Sequence, residues 1–102
     1  MAKFNIILCC AMGMSTSMLC NKMREAAKYE GIEATIEAHP LAAVEEVGKT
    51  ADIILLGPQV RYQKDAVIAK CPNKPVDVVD MSAYGMMDGK KVLAQVRKIL
   101  GR

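Results

Sequence analysis

Four short apolar runs alternate with helix-patterned stretches along this chain, and no other feature constrains its fold as tightly. Residues 3–9 (KFNIILC) form a β-branched run suited to a strand buried on both faces. Leu19, Met23, Ala26 and Ala27 then share a helical stripe opposite Asn21, Lys22, Glu25 and Lys28, and Gly31 is a helix stop. In residues 32–39 the apolar Ile32, Ala34, Ile36 and Ala38 alternate with Glu33, Thr35, Glu37 and His39. One wet face of that kind belongs on an edge strand. A short helix is expected over 41–48, and the most apolar strand over 52–57 (DIILLG). Further helices are expected over about 60–70 and from about 88 to 100, the second with Val92, Leu93, Val96, Ile99 and Leu100 inward. The last strand is read at 75–80 (PVDVVD).

The order βαβαβαβα predicts an open, doubly wound, four-stranded parallel sheet with helices on both faces. With right-handed crossovers and the wet strand at an edge, the strand order is 2-1-3-4. Ligands of such sheets bind at the carboxyl ends of the strands, beside the point where the order reverses. Here the segment from Cys10 to Ser17 meets Gly57-Pro58-Gln59 there.

Residues 1–102 are read as one domain. Hydrophobic residues make up 52% of the chain and charged residues 25%, which excludes disorder, while aromatics supply only 4%. The core is therefore aliphatic and filled by methionine. The scarcity of aromatics, a net charge of +3 and the absence of a basic run argue against nucleic acid as a partner. The cysteines at 9, 10, 20 and 71 have no zinc-site spacing, and a single His does not complete one. No metal or cofactor is expected. No stretch is apolar enough to enter a membrane, since Ser15, Thr16, Ser17 and Asn21 interrupt the first apolar region. A soluble, cytoplasmic protein is the expectation.

The chemistry concentrates between the first strand and the first helix. A helix N-terminus presents free N–H groups and the positive end of its dipole. Gly13 permits an anion-cradling backbone, and Ser15, Thr16 and Ser17 add hydroxyl donors. Cys10 stands at the mouth of this cradle. An ordinary thiol is only about 3% ionised at pH 7, so the same amides would serve to make it a thiolate. A thiolate beneath an anion nest suits phosphoryl transfer through a Cys-phosphate. The spacing bears comparison with the Cys-x5-Arg-Ser loop of Cys-dependent phosphatases, but Thr16 stands where Arg would be. Without a guanidinium fork the loop lacks its strongest phosphate clamp. Asp77, Asp80 and Asp88 are the nearest candidates for a general acid, each also readable as a solvated surface residue.

The run Cys10…Gly13-Met14-Ser15-Thr16-Ser17 followed by Lys22-Met23-Arg24 resembles the enzyme IIB component of the lactose/cellobiose/chitobiose class of the bacterial phosphotransferase system. The likeness extends through Ala51-Asp52, Leu55-Leu56-Gly57-Pro58-Gln59, Pro72-Asn73-Lys74-Pro75-Val76, Tyr84-Gly85 and Asp88-Gly89. It departs at Ala11-Met12, where two small residues are expected. The resemblance implies a sheet like that of low-molecular-weight tyrosine phosphatases. It also implies that Cys10 accepts a phosphoryl group from a histidine of the IIA component and passes it to a disaccharide held by the membrane component IIC. The expected phosphate-binding residues are Ala11, Met12, Gly13, Met14, Ser15, Thr16 and Ser17, with Gln59 and Tyr84 as candidate rim residues.

Cys9 is read as packing filler, because adjacent strand residues face opposite ways. Cys20 and Cys71 are read as small buried hydrophobes. Met12, Met14 and Met18 are read as core or rim filler or as an adaptable docking surface for partners, and His39 as a surface residue. Two other classes remain open from the residues. One is a Cys-dependent phosphatase or arsenate reductase on the same fold, although Cys71 falls at the far end of the sheet from Cys10. The other is a non-catalytic regulatory module with an unreactive Cys10.

Overall fold

A computed structural model of the chain describes residues 3–11 and 15–101. Four strands form one parallel sheet: β1 (Lys3–Cys10), β2 (Glu33–Pro40), β3 (Ile53–Leu56) and β4 (Val76–Val78). Their order is β2-β1-β3-β4, as the alternation predicts. β1 lies between β2 and β3, with Ile6 opposite Ile36 on one side and Ile53 on the other.

The crossovers carry α1 (Ser15–Tyr29), α2 (Val44–Val47) and α3 (Lys64–Lys70). After β4 come a short α4 (Met81–Gly85) and the amphipathic α5 (Gly89–Leu100). The helix expected over 60–70 is two pieces, a 3-10 segment Pro58–Gln63 and then α3. Pro58 starts this tighter segment because it has no N–H to leave unpaired. α4 replaces what reads as a loop in the sequence; the Asp80 carboxylate caps it, accepting from the Ala83 N–H at 3.0 Å.

The pleat of β1 sorts its side chains into two cores. Phe4, Ile6 and Leu8 pack with Leu19, Met23, Ala27, Leu93 and Val96 beneath α1 and α5. Ile7 and Cys9 pack with Val44, Ile54, Leu56, Val67 and Cys71 beneath α2 and α3. Helices thus cover both faces. β2 takes the wet edge, and of its residues only Ile36 is buried. Ile99 departs from the inward stripe expected on α5 and is 37% exposed, at the border of a contact face on which Leu100 still packs against the core.

α1 and α5 cross closely at Gly89. A Cβ there would lie 2.3 Å from the Lys22 carbonyl carbon and 2.5 Å from the Met23 nitrogen. The Asp88 carboxylate accepts from the Lys91 N–H at 3.1 Å and fixes the start of α5 at that crossing. Two residues beyond α1, Gly31 turns the chain with a φ of +70°, a conformation glycine adopts without steric cost. Together these contacts hold α1, and therefore its N-terminus, against the end of β1.

Candidate functional site

The site begins at the carboxyl end of β1. Alternation puts Cys10 on the face of Ile6 and Leu8, while Cys9 turns into the opposite core. Cys10 is 3% exposed, and the next residue, Ala11, is exposed. α1 starts at Ser15 with no acidic residue in its first turn, so no carboxylate of its own offsets the positive end of its dipole. Thr16, in that turn, is fully buried and donates from Oγ1 to Cys10 Sγ at 3.7 Å. A hydroxyl donor favours the ionised form of the group it touches. Ser17 is on the exposed side of the same turn. Met12, Gly13 and Met14 lie outside the described residues.

The second wall comes from the end of β3. Gly57 donates its N–H to the Cys9 carbonyl at 2.8 Å, which extends the β1–β3 pairing to the edge of the site. A Cβ on Gly57 would lie 3.5 Å from Cys10 Cβ and 3.7 Å from Thr16 Cγ2. It would also lie 3.0 Å from Gln59 Oε1, so the Gln59 side chain folds back over the glycine. Cys10, Thr16, Gly57 and Gln59 therefore converge. The glycine matters here through the space it leaves and not through its backbone angles, since its φ is −62°.

Gln59 and Tyr84 share one groove of about 640 Å³, together with Pro58, Arg61, Tyr62 and Met81. Arg61, Tyr62 and Met81 escape a sequence reading because an exposed side chain on an irregular turn leaves no periodic signal. Gly57, which the sequence already places at this end of the sheet next to Pro58, adds the space it leaves beside Cys10. Met18, on the exposed side of α1, is 59% accessible, which excludes the core reading and leaves the rim and docking-surface ones.

The other thiols differ in their surroundings. Cys9 is pushed up to about 12 by burial first, and then by the nearby Cys10 and Cys71 sulfurs. Cys20 is pushed up to about 11 by burial, against an opposing pull from Arg24. Cys71 packs under Val44 on the α2–α3 face. All four cysteines are free thiols.

None of the three aspartates is placed as a general acid at Cys10. Asp80 caps α4 and Asp88 caps α5. Asp77 accepts from the Val78 N–H at 2.8 Å and faces Lys64 at 3.5 Å. His39 contacts Glu37 at 3.1 Å on the edge strand. Among the described residues, no group of three or more His, Cys, Asp or Glu side chains is arranged to hold a metal ion. Nor is any helix there long and apolar enough to cross a membrane.

Comparison with known proteins agrees with this architecture. The oligo-β-mannoside-specific EIIB component of Bacillus subtilis is 41% identical over 97 residues, spanning 93% of this chain and 94% of that protein. The galactose-specific EIIB component of Lactococcus lactis is 40% identical over 107 residues, spanning 98% and 99%. The solution structure of a cellobiose-specific phosphotransferase IIB component from Borrelia burgdorferi superposes with a TM-score of 0.81 at 36% identity, covering 98% of this chain and 94% of that one. These likenesses do not favour the phosphatase or arsenate reductase alternatives. Residues 5–95 match the family described as the lactose/cellobiose-specific IIB subunit of the phosphotransferase system, and the chain belongs to that family.

Proposed function

We propose that this protein is a phosphoryl carrier whose nucleophile is Cys10. It would act as a single IIB domain in the cytoplasm, between a IIA donor and a membrane-bound IIC component. The observation that carries the reading is the Thr16 hydroxyl set on the Cys10 sulfur, at the start of a helix with no acid in its first turn.

The Cys10 thiolate attacks the phosphorus of a phosphohistidine on IIA. A P–S bond forms as the P–N bond breaks, and the imidazole leaves. Backbone amides of the segment from Ala11 to Ser17 hold the phosphoryl oxygens, and the dipole of α1 offsets their charge. Gln59, folded back over Gly57, closes the side towards β3. A sugar hydroxyl held by IIC then attacks phosphorus, the P–S bond breaks, and Cys10 is returned as the thiolate. The hydroxyl proton leaves to a base outside this chain. The acceptor belongs to the disaccharide class that the family's description suggests. Relatives named for a β-mannoside, for galactose and for cellobiose match this chain at similar identity over nearly their whole length, so the choice among sugars falls to the membrane partner.

Intact-mass spectrometry after incubation with phosphorylated IIA tests the proposal. One added phosphoryl group is expected on the wild type and none on Cys10→Ser. Phosphorylation persisting in Cys10→Ser would overturn the mechanism.

A further inference from the structure

Tyr84 is a tyrosine where packing alone asks only for phenylalanine. Its ring belongs to the core beneath α1 and α5, with Leu8, Leu19 and Leu55, and the residue is 8% exposed. Its hydroxyl is buried and has no hydrogen-bond partner among the described residues. Buried tyrosine hydroxyls ordinarily find one, because an unmet polar group loses its hydration without compensation. Phenylalanine would fill the same space without that loss.

Asn5 offers the only comparable case among the described residues, with an unpartnered Oδ1. Its amide nitrogen nevertheless donates to the Thr50 carbonyl at 2.6 Å, so the side chain is held. It also sits near the amino end of β1, away from the site. Tyr84 lies on α4, which follows β4 at the carboxyl end of the sheet, the end where β1 delivers Cys10. Tyr84 shares the groove of Pro58 and Gln59, and Gln59 reaches back to Gly57, which faces Cys10. Cys10 follows Ile6 and Leu8 on the sheet face that this core covers, with Thr16 of α1 set against it. The cap that Asp80 places on α4 fixes the backbone from which the ring projects. A donor without an acceptor, at the nucleophile's end of the sheet and bordering the groove of Gln59, is suited to an acceptor that arrives with the reaction.

We infer that the Tyr84 hydroxyl is a hydrogen-bond donor to the phosphoryl group carried on Cys10, satisfied only in the phosphorylated protein. The inference rests on the reading of Cys10 as the phosphoryl carrier. It gives Tyr84 opposite effects in the two states. The hydroxyl is a burden to the resting protein and an asset to the phosphoprotein, because a hydrogen bond to a charged oxygen is stronger than one between neutral groups.

The test is Tyr84→Phe, which keeps the ring and its packing. Two quantities are read for wild type and variant: the Tm of the unphosphorylated protein, and the fraction phosphorylated at equilibrium with phosphohistidine-IIA. The expected result is a Tm that is unchanged or higher, with the phosphoryl-transfer equilibrium constant lowered about tenfold, the effect of one charge-assisted bond. A purely structural tyrosine would lower Tm and leave that constant alone. Equal equilibrium constants in a phosphorylatable wild type and in Tyr84→Phe overturn the role of Tyr84 only. No phosphorylation of the wild type overturns the reading of Cys10 and this inference with it.

Discussion

Cys9 and Cys10 are neighbours in the chain and opposites in surroundings. Cys9 points into the core beneath α2 and α3, among Ile7, Val44 and Leu56, and burial pushes its thiol up to about 12. Cys10 points to the other face, where the Thr16 hydroxyl donates to its sulfur and the first turn of α1 begins. One step along a strand thus separates a thiol kept neutral by desolvation from one set against a donor and a helix N-terminus. Local sequence alone does not make the difference. It comes from the pleat of β1 and from α1 docking over one face only.

Exchanging the two thiols is the sharpest way to break this comparison. Cys10→Ser should abolish phosphorylation, whereas Cys9→Ala should retain it and lose about 1–2 kcal/mol of stability through a small cavity. Chemical denaturation and intact mass, read together, separate the two effects. Loss of phosphorylation in a folded Cys9→Ala would contradict the division of labour.

The next effect concerns the helix that brings Thr16 to Cys10. Gly89→Ala places a methyl group against the backbone of Lys22 and Met23, which has no flexible end to move aside. Destabilisation of about 1–3 kcal/mol is expected, seen as a lower urea midpoint. In the fraction that remains folded, the displaced α1 should also slow alkylation of Cys10. A neutral Gly89→Ala would show that the α1–α5 crossing is not what sets the helix.

Removing the donor itself should have a smaller effect. Thr16→Val preserves shape and deletes the hydroxyl, and Cys10 alkylation at pH 7 should slow about tenfold, the value of one hydrogen bond to a charged sulfur. An unchanged rate would assign activation to the helix amides alone.

The smallest effect lies at alkaline pH. Cys9 and Cys20 hold their protons to about 12 and about 11 in the folded state, while an unfolded thiol releases its proton near ~8.5. Above ~8.5 the unfolded chain binds fewer protons than the folded one, so stability falls with rising pH. The contribution of these thiols is fully present below ~8.5 and disappears as pH climbs through 11 to 12. Cys9→Ala should show a shallower decline of Tm between pH 8.5 and 11 than the wild type.

Much of this arrangement was legible in the residues. The apolar runs and the wet 32–39 strand led to the observed order β2-β1-β3-β4, and alternation separated Cys9 from Cys10. What escaped has physical causes. α4 spans only five residues, too few to show a helical period, although Asp80 three residues before Ala83 is a capping signal. The kink inside the 3-10 segment depends on non-helical backbone angles at Val60 that no periodicity reports. Thr16 was legible as a donor standing where an arginine would be. Its hold on the sulfur depends on how α1 seats against β1, a tertiary fact. The three aspartates read as possible acids because composition does not distinguish a helix cap from a proton donor. Tyr84 showed its position in the sequence, but its unmet hydroxyl emerges only from packing.

The central claim is that Cys10 alone among the four thiols is set up as a nucleophile. The rate of its alkylation by iodoacetamide against pH, followed by peptide mass spectrometry, tests this directly. The account predicts a midpoint at least one unit below the ~8.5 of a free thiol, with Cys9 and Cys20 unmodified throughout that range. A midpoint for Cys10 at or above ~8.5 would contradict it.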